Sequence, residues 1–136
     1  MSLTFDGRDF HATNWIGNSV THFDNANAAI GVGDDNSPFS QYDSQLQAEA
    51  NGTNAIRKGM DSGYPSQDPG SAGDDHKIRF QSTFAEGEGN FSWLEWGIFN
   101  STTAGGGVMH NREVEDLGSK TNKIQRIFQV DVQLTT

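Results

Sequence analysis

Polar and apolar positions interleave with a period of two in two stretches of the second half of the chain. Ile78, Phe80, Ser82 and Phe84 alternate with Lys77, Arg79, Gln81 and Thr83, and Phe128, Val130, Val132 and Leu134 alternate with Gln129, Asp131 and Gln133. That period places one set of side chains on one face of a strand, so each stretch predicts a half-buried strand, the second beginning near Ile124. Residues 91–99 carry apolar side chains at both parities, which marks a strand covered on both faces or in contact with a partner. A further strand is predicted from Val108 to Val114, after a glycine-rich loop over 100–107. Residues 86–90 and 117–122 carry turn chemistry.

The first half reads differently. From Thr4 to Gly17 the chain predicts a short helix, with Thr4 as cap, Asp6 in the first turn where the helix dipole favours negative charge, and Gly17 as terminator. Phe10 and Trp15 would form its buried side, and Gly7 counts against it. Ala28 to Gly33 is a run of small residues that reads as a strand ending in the turn Asp34 to Pro38, its glycines pointing to close backbone packing. Ser40 to Ala50 predicts a short helix or ordered loop with Tyr42 and Leu46 on one side. Asn51 to Asp75, rich in Gly, Ser, Asn, Asp and Pro, reads as mostly loop of the kind that serves a contact. These elements predict a mainly β architecture, an antiparallel β-sandwich with one or two short N-terminal helices, formed as one domain over 1–136.

Composition narrows the function classes. Leu, Ile, Val and Phe make up about a fifth of the 136 residues and the formal net charge is −9, a balance near the boundary of disorder. Nine Phe, three Trp and two Tyr offset this, because each buried aromatic removes a large apolar area from water. The acidity opposes binding to nucleic acid or to an anionic membrane surface. No apolar run is long enough to span a bilayer, and the opening residues lack the pattern of a signal peptide, so synthesis in the cytoplasm is expected. The absence of cysteine removes disulfides, thiolate metal sites and a thiol nucleophile.

Candidate chemistry is sparse. Gly31-Val32-Gly33-Asp34-Asp35-Asn36 begins like a dinucleotide fingerprint but has Asn36 in place of the third glycine and no following helix, so a turn at a strand end is the better reading. Asp34, Asp35, Asn36 and Asp43 could gather around calcium, yet they read more simply as Asx turns, and Asp74-Asp75-His76 as a solvated loop. His11, His22, His76 and His110 have no spacing that puts two imidazoles on one helix face. Glu86, Glu88 and Glu95 would have to converge in space to act as a glycosidase pair. Glu95, inside Trp93-Leu94-Glu95-Trp96, needs a partner if buried, and Arg112 and Arg126 are the candidates for a structural ion pair. No catalytic, cofactor or metal residues are assigned.

Several ordered pieces give the chain a likeness to a family of small virion structural proteins of tailed bacteriophages. They are Gly7-Arg8-Asp9-Phe10, residues 23–28, Ile30-Gly31-Val32-Gly33-Asp34, Leu46-Gln47, residues 60–65, residues 91–100 and Met109-His110-Asn111-Arg112. The Gly-x-Gly-Asp and Trp-x-Glu-x-Gly-x-Phe elements also resemble the domain that begins some tail-collar fibres. The resemblance implies a non-catalytic virion subunit: a capsid decoration (cement) protein on the major capsid protein, or a tail, neck or fibre-attachment protein. The decoration reading rests on size and on the lack of a repetitive shaft, and brings with it a symmetric homo-oligomer, a trimer being favoured. Interface contacts are expected at Phe5, Phe10, Trp15, Tyr64 and Trp96. A carbohydrate- or receptor-binding module is the third class, since aromatic faces beside amides suit sugars.

Overall fold

The computed structural model describes residues 2–67 and 76–133. Two helices, α1 (Phe5–Trp15) and α2 (Gln47–Asn51), accompany seven strands: β1 (Ala29–Gly33), β2 (Ala55–Gly59), β3 (Ser66–Gln67), β4 (Lys77–Phe84), β5 (Glu95–Phe99), β6 (Met109–Val114) and β7 (Arg126–Gln133). The strands form two antiparallel sheets in the orders β2-β1-β5-β6 and β3-β4-β7. The sheets face each other across one core, so the expected β-sandwich is what the chain adopts. Ile30, Val32, Trp96 and Ile98 from the first sheet meet Phe80, Phe84, Val130 and Val132 from the second, with Trp93 between. The alternation in the two C-terminal stretches becomes the β4·β7 pair, where Phe80 lies opposite Val130 and Ile78 opposite Val132.

The first sheet is covered on its other face as well. There α2 and the preceding Leu46 pack against Phe99 and Met109, which is why β1 and β5 are buried at every position. This layer fits only because β1 has glycine where its side chains would point outward. A Cβ on Gly31 would stand 2.7 Å from the Phe99 ring, and one on Gly33 would stand 2.7 Å from Glu95 Oε2 and 2.9 Å from Ala48.

Four expectations are refined or corrected. Residues 51–67 are not loop throughout: Ala55–Gly59 is a strand because its backbone pairs with β1, with Ile56 packing on the core and Arg57 turned to the outer layer. The rest of the expected loop, 68–75, lies outside the described residues, as does Leu134. The strand predicted over 91–99 begins only at Glu95; before it, Trp93 and Leu94 donate to the carbonyls of Gly118 and Gly33. Of the short helix or ordered loop expected over 40–50, the helix is α2 and the rest an ordered turn in which Tyr42, expected on one side with Leu46, is 82% exposed. Finally, α1 forms as expected on its Thr4 cap, whose Oγ1 accepts from the Gly7 amide at 2.9 Å, but Trp15 is not on its buried side. That side is made by Gly7, on which any Cβ would overlap the His110 carbonyl, and by half-buried Phe10.

Candidate interaction surface

The most elaborate charged cluster is structural. Glu95 is fully buried on the outer face of β5, where its two oxygens accept from the amides of Gln47 and Ala48 at 2.8 and 2.9 Å and from Arg112 Nε at 2.8 Å. It therefore satisfies the first amides of α2, which would otherwise lack partners, and receives a favourable interaction from the helix dipole. Arg112, also fully buried, donates in addition to Asp43 at 3.2 Å and to the Ser37 carbonyl at 3.0 Å. Together these bonds tie β5, β6, α2 and the 37–43 loop into one unit. Beside it Arg57 is bidentate to Glu49 at 2.7 and 3.0 Å and lies 3.6 Å over the Phe99 ring.

The expected ion pair is thus Glu95 with Arg112. Arg126 belongs to the opposite sheet and is no part of it: its guanidinium lies 4.8 Å over Trp93 and donates to the carbonyls of Leu117 and Ser119. Three of the other acidic candidates are likewise committed. Asp34 accepts from Thr53 and Asn54, Asp35 from Ser37 and Asn51, and Glu88 from Lys58 and the Ala85 amide. Among the described residues no group of three or more His, Asp or Glu is placed to hold a metal ion, and no helix is long and apolar enough to cross a membrane.

The expected interface residues separate. Trp96 is only 8% exposed and its Nε1 donates to Glu115 at 2.6 Å, so it is a core residue and not an outward anchor. Phe5 is half-buried and packs edge-on against Tyr42, while Tyr64 is half-buried with its carbonyl accepting from Asn25. Phe10 packs edge-on against Phe23 with centroids 4.8 Å apart. Trp15, in contrast, is 90% exposed, and Ile16 beside it is 71% exposed. Nothing in the amphipathic pattern separates these outcomes, because whether a residue on a helix faces core or solvent depends on where the helix docks.

Phe10 and Trp15 meet at a groove of ≈ 690 Å³ between α1 and the second sheet. One wall is the C-terminal half of α1, and the other is Ile78 and Phe80 of β4 with Val132 of β7. Three of the four histidines, His11, His22 and His110, complete the lining. His11 and His110 are joined Nε2 to Nε2 at 2.9 Å, across 99 positions of sequence. Burial, reinforced by the neighbouring His11, pushes His110 down to about 4, and burial also lowers His11. Both imidazoles of the pair are consequently neutral at pH 7. Sequence spacing held no signal for this cluster; Trp15 stood among the interface candidates, and of these it is the exposed one.

Comparisons with family models, with characterised proteins and with solved structures find no match to this chain.

Proposed function

We propose that the protein is a structural subunit of a tailed-bacteriophage virion, a capsid decoration protein that binds the major capsid protein and works by binding alone. The observation that carries this reading is the exposed Trp15, with exposed Ile16 beside it, at a largely apolar groove on a chain whose net charge is −9. A large aromatic left in water on an acidic domain costs solubility, and tryptophan is enriched where a few residues dominate an interface. The framework behind it suits a passive role. Buried guanidinium–carboxylate pairs brace the first sheet and α2, and α1 is seated on β6 of that sheet, so that contacts made by the domain add to the stability of whatever it is seated upon by mass action. The resemblance of the sequence pieces to virion proteins supports the same class, with a homo-oligomer such as a trimer on the shell.

Quantitative mass spectrometry of the purified virion tests this. Copies in the hundreds are expected; a handful per particle would replace the decoration reading with a tail, neck or fibre-attachment role, and absence from the particle would end both.

A further inference from the structure

Helix α1 is fastened differently at its two ends. At its start, Thr4 Oγ1 donates to the Met109 carbonyl at 2.5 Å, the Thr4 amide donates to the His110 carbonyl at 3.1 Å, and Phe5 donates to the Gln41 carbonyl at 2.9 Å. None of these groups titrates. Further along, the ties to the sandwich are the Phe10–Phe23 ring contact and the His11–His110 hydrogen bond. The two imidazole centroids are 5.1 Å apart and the bonded nitrogens 2.9 Å apart. The difference is about twice the distance from a ring centre to its nitrogen, so the nitrogens meet head-on. Such a bond requires a hydrogen on one nitrogen and a free lone pair on the other.

Proton counting then decides what acid does. A first added proton is tolerated, because exposed His11 can carry it and donate as an imidazolium to neutral His110. A second places hydrogen on both facing nitrogens and sets two positive charges against each other, with His110 only 7% exposed. We propose that protonation of the His11–His110 pair is an acid-operated release of the C-terminal half of α1, residues 10–15, with the Thr4 end remaining tied as a hinge.

Among the described residues the surroundings offer no counter-charge to the pair. Across the groove His22 can only add positive charge, and Ile78, Phe80 and Val132 are apolar. On α1 itself Asp6 and Asp9 line the opposite side of the helix, together with residues of the 100–108 loop. On β6, Arg112 is held by Glu95 and Asp43, Glu113 accepts from the Ser2 amide, and Asn111 lies 3.4 Å from His110 Nδ1. A histidine that titrates at 6.5 when free and at about 4 when docked raises the released population about 30-fold at pH 5 and about 150-fold at pH 4, relative to pH 8. Release removes one wall of the groove, so a partner seated there would be discharged by acid. The release itself is independent of what the groove binds.

Amide hydrogen exchange of the intact chain, corrected for the intrinsic pH dependence of exchange, measures such opening even when it is rare. The expected result is an increase of about 30-fold in α1 opening between pH 8 and pH 5 while β1 and β5 keep their protection, shrinking to a few-fold in His110→Gln. No increase, an increase shared by the sheets, or an undiminished increase in His110→Gln overturns the proposal. Should His110→Gln not fold, the wild-type imidazole titration followed by nitrogen NMR decides: His110 titrating near 4 supports the release, and near 6.5 refutes it.

Discussion

Replacing Arg112 by Met tests the central claim about how the sandwich is held together. The substitution conserves much of the side-chain volume but leaves the Glu95 carboxylate buried with two backbone amides and no counter-charge. Breaking one side of a buried pair typically costs about 3–5 kcal/mol. Since a domain of this size is stable by roughly 5–15 kcal/mol, that is a large share of the total. Glu95→Gln leaves Arg112 with Asp43, whose bond is longer at 3.2 Å, and turns an amide N–H₂ toward a donor; about 2–4 kcal/mol is expected. The double variant removes the buried Glu95 charge together with its counter-charge, leaving Asp43 with the Ser40 amide and Gln47, so the two losses should fall short of adding by about 2 kcal/mol or more. Urea unfolding at pH 7 provides all four stabilities, with an unchanged slope confirming that the same surface is exposed. Because both groups are shielded from solvent, raising the salt to about 1 M should leave the coupling intact. Additivity within about 0.5 kcal/mol, or a cost below about 1 kcal/mol for Arg112→Met, would refute the description of this cluster as the strut between β5, β6 and α2.

Other outcomes follow from the same geometry. Gly33→Ala should destabilise by about 1–3 kcal/mol in the same urea assay, because its methyl group meets Glu95 and Ala48 at 2.7 and 2.9 Å. Phe84→Ala, at a fully buried position packed on Trp93, should cost about 3–5 kcal/mol. Arg79→Gln, which removes the partly exposed pair with Asp131, should leave the unfolding midpoint unmoved. Trp15→Ser should change stability by less than about 0.5 kcal/mol while abolishing retention on capsid shells in a sedimentation assay; full retention would move the interface elsewhere.

What could be read from the chain was whatever is local. Alternation at Ile78 to Phe84 and at Phe128 to Val132 specified strands, because the two faces of a strand are set by its own backbone. Thr4 and Asp6 specified where α1 starts, because capping acts within one turn. The doubly apolar stretch ending at Phe99 left open a strand covered on both sides or one in contact with a partner; the structure has the first, and β1 supplies the glycines that such a covering layer demands. Segment 55–59 could not be read this way, since its strand exists through pairing with β1 and through the burial of Arg57, both long-range effects. Nor could the sequence choose between Arg112 and Arg126 as the partner of Glu95. That choice required knowing which sheet each strand joins and which face Glu95 takes. The groove is the extreme case. Phe10 and Trp15 were visible as aromatic candidates, but the burial of one, the exposure of the other and the meeting of His11 with His110 depend on how α1 docks against β6. Local backbone preferences thus specified most of the strands and the helix start. The surface and its histidine pair were decided only by packing, because imidazoles 99 positions apart share no local geometry until two finished elements come together.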